Sequence, residues 1–261
     1  MRYNLDEYFK KLNIEPTEPS LELVKALQTK HIAIFSFNNI AVLLGKTISL
    51  NIEDIFEKIV TKNLGGYCFE HNALMFEVLK SLGFNVRILV TKVLNNQDID
   101  SPRTHRITLL EWENEQYIVD VGFASFTPRL VLNINNKEEE GYRIVPLANG
   151  VYQFEVLKKD EPFIFYRFDL AEYTEADCVM GNFYSSQHPN AVFVNNFVIS
   201  LICPKVTLSF RNGTYHRIGQ EGTEIIEVKS TEQLQLIIND EFLIPLDFLE
   251  CEVLFKLIKS K

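Results

Sequence analysis

A chain of 261 residues with 46% hydrophobic content can bury a sizeable core and fits one to three domains. Its formal charge of −9, with no basic cluster, argues against nucleic acid as a partner. No apolar run reaches the roughly 18 residues that a membrane span needs. Met1-Arg2-Tyr3-Asn4-Leu5-Asp6 opens a polar helix rather than a signal peptide, so a cytoplasmic, membrane-free protein is expected.

In chain order, residues 1 to 83 read as mostly helical: Leu5 to Leu12, Leu21 to Phe35, Ile52 to Val60, and a helix from Cys68 to Leu82 that Gly83 stops. From Asn85 the pattern turns to strands, with Val86 to Val93, a hairpin carrying His105 and Asp120, Val151 to Leu157, and Phe163 to Phe168. Glu138-Glu139-Glu140 before Gly141 reads as a solvated loop. A short helical stretch is expected from Glu172 to Met180. Strands then resume from Val192 through Phe210 and from Glu224 to Val228, and helices from Glu232 to Asn239 and from Asp247 to Lys259 close the chain. The order divides into a helical unit at 1–83, a mainly β unit at 84–190 and an α/β unit at 191–261. No repeat or low-complexity tract interrupts it.

Gly65-Gly66-Tyr67-Cys68-Phe69-Glu70-His71-Asn72 places a cysteine where a glycine turn meets a helix. The unpaired N–H groups of a helix N-terminus favour thiolate over thiol, and a nearby imidazolium favours it further. The plainer alternative is a small buried hydrophobe opening a core helix. Cys178, Cys203 and Cys251 lie far from Cys68 and from one another, form no metal-ligand spacing, and leave an odd number if Cys68 is set aside, which argues against a disulfide framework.

A nucleophilic thiol needs a base. Of His31, His71, His105, His188 and His216, the first lies in a predicted helix, the last two beside turns, and His71 on the helix surface next to Cys68, away from where a thiolate at the helix end would point. His105 sits in a β-branched strand, Thr104 to Trp112. After a turn at Glu113-Asn114-Glu115 the chain returns as Gln116 to Val121, whose only acid is Asp120. A carboxylate in an apolar run needs a partner, and an imidazole on the neighbouring strand is one, although Asp120 could instead cap a turn with Gly122. A symmetric hairpin centred on Asn114 sets Asp120 opposite Thr108, three residues short of His105, or roughly 10 Å, so a bulge, a strong twist or an asymmetric turn is required.

These stretches, together with Pro102-Arg103-Thr104-His105, Val119-Asp120-Val121-Gly122-Phe123, Leu5-Asp6-Glu7-Tyr8-Phe9, Ile40 to Lys46 and His188-Pro189-Asn190-Ala191-Val192-Phe193, resemble the arylamine N-acetyltransferases over nearly the whole chain. The resemblance implies an α+β fold with an N-terminal helical bundle, a central β-barrel and a C-terminal α/β lid on a cysteine-proteinase-like core. It implies Cys68 as acetyl-accepting nucleophile, His105 as its base and Asp120 as the group that orients His105. Acetyl-CoA would be the co-substrate, with no metal, and the partner a small arylamine, hydrazine or hydroxylamine, in a ping-pong cycle through an acetyl-cysteine thioester. By position in the family, Phe37, Val93, Ser101, Thr104, Phe123 and Phe193 would meet CoA or the acceptor, and the protein would be a monomer or homodimer. Lys46, Arg103, Arg106 and Arg211 are the cations within range of CoA phosphates, each also readable as an ordinary surface charge.

Three positions depart from the family pattern. Leu64 stands where an arginine usually precedes Gly-Gly, and Asn38 where the family has the glutamate of Phe-Glu-Asn, so an ionic brace of the nucleophile's loop is replaced by packing and a neutral hydrogen bond. Ala124 replaces the second glycine of a Gly-Phe-Gly turn, where alanine resists positive φ. The stretch around Cys203-Pro204-Lys205 is shorter than the family hairpin, so CoA contacts from that part are not carried over. Two rival functions share the fold: a hydrolase or amide-forming acyltransferase, macrolactam closure included, that uses a non-acetyl thioester, and a non-catalytic binding protein.

Overall fold

The first helix, α1 (Leu5–Leu12), is set by its ends. Asn4 Oδ1 accepts from Asp6 N, acids occupy the first turn and lysines the last, and Asn13 closes it in the left-handed conformation. Tyr8, Phe9 and Leu12 form its buried face. Helix α2 (Leu21–Ile34) starts on a Ser20 cap and buries Leu23, Val24, Leu27 and His31. The structure, a computed structural model, describes residues 4–97, 99–135, 138–158 and 161–260. Met1 to Tyr3 of the opening segment therefore lie outside the described residues.

A two-residue strand β1 (Phe37–Asn38) and a single turn α3 (Ile40–Leu43) follow. Helix α4 (Ile52–Phe56) then continues without a break into a π-helical turn at Glu57–Thr61. The Cys68 helix is α5 (Cys68–Ser81), buried on nearly every face. A seven-stranded antiparallel sheet comes next, in the order β5-β4-β3-β2-β8-β7-β6, made from β2 (Asn85–Val93), β3 (Arg103–Trp112), β4 (Glu115–Val119), β5 (Leu132–Asn133), β6 (Tyr142–Pro146), β7 (Val151–Lys158) and β8 (Glu161–Asp169). It curls until its edge strands β5 and β6 meet, a near-closed barrel filled by Leu89, Ile107, Leu109, Phe154, Phe165 and Tyr166.

Two helices, α6 (Glu175–Gln187) and α7 (Val192–Asn195), lead into a second sheet of β9 (Val198–Ile202), β10 (Val206–Arg211), β11 (Thr214–Gly219) and β12 (Gly222–Glu227). Strand β1 pairs with β9 at its edge, so a segment that precedes Cys68 is hydrogen-bonded into the C-terminal sheet. Helix α8 (Thr231–Leu236), prolonged by a π turn at Ile237–Glu241, and α9 (Phe248–Lys259) cover that sheet. This is the expected helical bundle, barrel and C-terminal α/β unit. Among the described residues no helix is long and apolar enough to cross a membrane.

Some elements fall elsewhere than the periodicity suggests. The helix expected over Glu172 to Met180 begins at Glu175 and runs to Gln187, because Thr174 N and Oγ1 both donate to Asp177 Oδ2 and fix the start. Val192–Asn195 is a helical turn rather than a strand; Asn195 Nδ2 donates to the Pro189 and Ala191 carbonyls and holds it closed. β6 and β11 lack an alternation clear enough to be anticipated.

The helical unit carries a buried polar chain. Tyr8 on α1 meets His31 Nδ1 at 3.0 Å, His31 Nε2 meets His71 Nδ1 at 2.8 Å, and His71 Nε2 meets the Ser36 carbonyl at 3.2 Å. A carbonyl only accepts, so His71 carries its proton on Nε2; it then accepts from His31 Nε2–H, and Tyr8 donates into the chain. Phe35 packs against His31, Phe37 stacks on His71, and Lys58 is the nearby cation. Burial, with the His71 charge, holds His31 well below its ordinary value, and burial, opposed by the Ser36 carbonyl, brings His71 down to about 4. Both are neutral when folded and take up protons near 6.5 once unfolded. Between those values the unfolded chain binds more protons, so their contribution is complete above pH 6.5 and declines as the pH falls towards about 4. Urea unfolding at a series of pH values should show that decline, shallower by about one proton in His31→Gln. Equal slopes in the two proteins would refute the buried neutral pair.

Candidate active site

The loop before Cys68 is tied to β1. Gly65 has φ 62°, and a Cβ there would lie 2.1 Å from the Ser36 carbonyl oxygen, so both the turn and the close approach require glycine. Asn38 N donates to the Gly66 carbonyl at 2.6 Å, and Asn38 Nδ2 to the Leu64 carbonyl at 2.9 Å, while the Leu64 side chain packs on the C-terminal core. Packing and a neutral hydrogen bond thus stand at the two departing positions, as expected. Charge has not left the loop, however. Lys58, from the π turn, reaches Glu70 Oε1 at 2.6 Å, and Glu70 Oε2 accepts from Tyr67 N at 3.1 Å. Glu70 is 2% exposed, and this ion pair fixes the backbone immediately before the cysteine.

Cys68 opens α5 and points its sulfur at β3. Sγ lies 3.6 Å from the Thr104 carbonyl, and the Phe69 and Arg106 N–H groups face it. The sulfur therefore touches the β3 backbone on both sides of His105. That contact is possible because Thr104 is bulged: Thr91 pairs with His105 and Lys92 with Arg103, leaving Thr104 without a partner on β2.

The hairpin's turn narrows the His105–Asp120 gap and brings the two residues onto one face. Glu113 and Asn114 alone form it, both with positive φ, and Trp112 pairs with Glu115, so Glu115 belongs to β4. Thr108 faces Val119 instead of Asp120, which moves Asp120 one residue closer to His105 than the symmetric hairpin allows. His105 Nε2 meets Asp120 Oδ2 at 2.8 Å. Asp120 also accepts from Gly122 N at 3.0 Å, so the turn-capping alternative and the imidazole partnership are both realised. Gly122 has to be glycine: a Cβ would stand 2.9 Å from the Cys68 Cα, where this turn passes against the start of α5.

Asp120 is fully buried. Burial alone would raise its pKa, but the His105 charge and hydrogen bond, the Asn72 amide and the Gly122 N–H outweigh that and hold it below the usual carboxylate range. An ionised Asp120 only accepts, which places the His105 proton on Nε2 and leaves Nδ1 as the basic nitrogen. Burial, reinforced by the Asp120 charge, pushes the Cys68 thiol up, against the pull of the Phe69 and Arg106 N–H groups. Such a thiol is inert until a base takes its proton. With an imidazole whose basic nitrogen is fixed, the set can carry out nucleophilic acyl transfer.

The other sequence-predicted residues fall in three pairs. Phe123 stands edge-on to His105, centroids 4.8 Å apart, and Thr104 touches the sulfur. Phe37 and Phe193 meet at 5.8 Å, and Phe193 also meets Tyr67, the residue before Cys68. Val93 ends β2 opposite Tyr166, and Ser101 is buried with its hydroxyl on the Pro102 carbonyl. Among the four cations, Arg106 is no surface charge. It is buried, bidentate to Glu175 at 2.8 and 2.9 Å, and lies over the Phe76 ring. Lys46 pairs with Glu250 and Arg103 with Asp169. All four cysteines are free thiols.

Three site residues escape sequence reasoning. Asn72, one turn beyond Cys68, donates to the Arg106 carbonyl at 2.6 Å and to Asp120 Oδ1 at 3.0 Å, and accepts from Val121 N. Tyr166 donates to Asp120 Oδ2 at 3.2 Å, and Lys58 carries the loop's charge. A polar residue on a buried helix face was the available sign for Asn72, and an acid in an apolar helix the sign that Glu70 has a partner.

A thiol at a helix N-terminus, against a barrel strand that carries an imidazole–carboxylate pair, defines a thiol-dependent acyl-transfer class of enzyme. The sequence pattern of the N-acetyltransferase family matches residues 20–251. The chain is 34% identical over 249 residues to the arylamine N-acetyltransferase of Escherichia coli K12, covering 91% of this chain and 88% of that one. It is 32% identical over 250 residues to the arylamine N-acetyltransferase / N-hydroxyarylamine O-acetyltransferase of Salmonella typhimurium LT2, with the same coverages. The solved structure of the Salmonella typhimurium arylamine N-acetyltransferase superposes with a TM-score of 0.91 at 28% identity over 98% of both chains. The chain belongs to the arylamine N-acetyltransferase family, whose activity, acetyl-CoA-dependent transfer to an arylamine, is its own.

The Lys58–Glu70 geometry predicts that Lys58→Met, which strands a buried carboxylate, costs on the order of 2–3 kcal/mol, less than a fully buried pair because Lys58 keeps some contact with water. Denaturant titration should show this loss, and Lys58→Arg should show little of it. Adding Glu70→Gln to Lys58→Met should recover part of the loss, and no recovery would mean that the pair does not carry the loop.

Proposed function

We propose that Cys68 is the acetyl acceptor, His105 its base and Asp120 the group that holds His105 in the working tautomer. The observation that carries this reading is the sulfur's contact with the backbone on both sides of His105, whose Nε2 is already committed to Asp120. In the first half-reaction His105 Nδ1 takes the Cys68 proton as sulfur attacks the acetyl-CoA carbonyl. The thioester C–S bond breaks, and the CoA thiolate leaves with the proton from His105. In the second, an amine nitrogen attacks the acetyl-cysteine, gives its proton to His105, and expels the Cys68 thiolate, which that proton restores. Helix α5 presents its first N–H groups, Phe69 among them, at this point, and they are the natural donors to the oxyanion of each tetrahedral intermediate.

A Mycobacterium marinum arylamine N-acetyltransferase of the same fold, 24% identical with a TM-score of 0.90, is solved in complex with CoA, which supports a CoA site on this fold. In this chain we assign CoA and acceptor contacts to Phe37, Val93, Ser101, Thr104, Phe123 and Phe193. Acceptors would extend from arylamines to hydrazines and hydroxylamines. Four unpaired thiols suit a reducing cytoplasm. The units 1–83, 84–190 and 191–261, in a monomer or homodimer, remain our division of the chain.

Mass spectrometry after mixing with acetyl-CoA should show one added acetyl group, mapped to Cys68 and absent from Cys68→Ala. Labelling by another thioester alone would favour the hydrolase or amide-forming reading, and no labelling by any donor would favour a binding protein. His105→Ala and Asp120→Asn should each slow acetyl-enzyme formation by about 10²–10⁴-fold with circular dichroism unchanged. Acetylation of Asp120→Asn at the parental rate would refute its role.

A further inference from the structure

Glu70 gives the Cys68 loop its geometry at an electrostatic cost. Its Oε2 accepts from Tyr67 N at 3.1 Å, which fixes the backbone just before the cysteine, and the carboxylate is buried, so water does little to screen its charge. After burial and the Asp120 charge, the Glu70 charge is a further cause that pushes the Cys68 thiol up. The acid that positions the thiol therefore opposes its ionisation.

Lys58 answers that charge from the π turn, with Nζ 2.6 Å from Glu70 Oε1. The other groups around Glu70 are committed or uncharged. Lys58 and Glu70 line a cavity of about 210 Å³ together with Asn38 and Leu64, both neutral where the family pattern is charged. Lys46 also lines it but pairs with Glu250 at 2.7 Å, and Asp54, which accepts from Ser49 Oγ, is a second acid. Burial keeps Tyr67 protonated by raising it and keeps His71, next along α5, neutral by bringing it down to about 4.

We propose that Lys58 is a positioning residue for acetyl transfer: it neutralises the carboxylate that holds Tyr67 N, so the loop keeps its acceptor without a bare negative charge near Cys68. This rests on the acetyl transfer proposed above. The effect runs through Glu70, so it must vanish when Glu70 loses its charge.

The test follows Cys68 alkylation by iodoacetamide against pH, mapped by mass spectrometry so that Cys178, Cys203 and Cys251 do not contribute, beside single-turnover acetylation by acetyl-CoA. Both are run where denaturant titration shows each protein folded. Lys58→Met should move the alkylation midpoint up by about one pH unit and slow acetyl-Cys68 formation about tenfold, with the half-saturating acetyl-CoA concentration unchanged. Lys58→Arg should keep the parental midpoint. Adding Glu70→Gln to Lys58→Met should restore both midpoint and rate, because the glutamine carbonyl still accepts from Tyr67 N and carries no charge. If Lys58→Met does not fold, Lys58→Gln makes the same change of charge and takes its place. A role in stability alone leaves the midpoint where it was. A midpoint in Lys58→Met within about 0.3 unit of the parental one, or a shift that persists in the double variant, overturns the proposal while the acetyl-transfer reading stands. Absence of acetyl-Cys68 from the unaltered protein sinks that reading, and the role of Lys58 falls with it.

Discussion

Asp120 is a carboxylate with no access to water, and an ionised group in that position is tolerable only when its oxygens are filled. Four donors fill them: His105 from β3, Asn72 from α5, Gly122 N from its own turn and Tyr166 from β8. Helix, hairpin and barrel must all be in register for this to happen. A slip of one residue in the hairpin would turn β4's alternation over and leave a buried charge unpartnered. The fold therefore locks the imidazole as a consequence of satisfying the acid. Tyr166 stays protonated, since burial and the Asp120 charge both raise it, so it always donates.

The Cys68 loop is held from the other side by a different set of bonds. The Ser36 carbonyl accepts from His71 Nε2 and Gly66 N, while Asn38 ties Leu64 and Gly66, so the end of α2, β1 and the glycine turn move as one piece. Lys58 and Glu70 add an ionic tie at the cysteine's N-terminal side. Because β1 is paired with β9, the same piece is anchored in the C-terminal sheet. The sulfur's position against β3 is thus fixed by three parts of the chain that are remote in sequence.

How much of this a sequence can disclose depends on the range of the interaction. Cys68, His105 and Asp120 were legible because each violates its surroundings locally: a thiol after two glycines, an imidazole in a β-branched strand, an acid in an apolar run. Helix starts at Leu5, Leu21 and Ile52 were legible because Asn4, Ser20 and Asn51 cap them. The hairpin register was not, since the choice between a two- and a three-residue turn at Glu113-Asn114-Glu115 depends on positive φ at a glutamate, which composition does not advertise. Lys58 was invisible for a similar reason. A π turn shifts the side chain's phase relative to an α-helix, and its partner lies twelve residues away. The Tyr8–His31–His71 chain joins three helices, and nothing local marks those histidines as neighbours.

Burial of Cys68 links the proposed chemistry to the packing. Burial, reinforced by the Asp120 charge, pushes the thiol up; under the proposed cycle, an acetyl group on the same sulfur would be held in the same enclosed place. Such a thiol ionises only with help, so the proposed role of His105 as its base requires a fixed tautomer. Asp120 supplies that constancy. Its four donors reach it from the helix that carries Cys68, the strand that carries His105, its own turn at Gly122 and strand β8. The order around Asp120 extends past the site through Gln28, which accepts from Asp120 N and donates to the Pro128 and Leu130 carbonyls of the loop that follows.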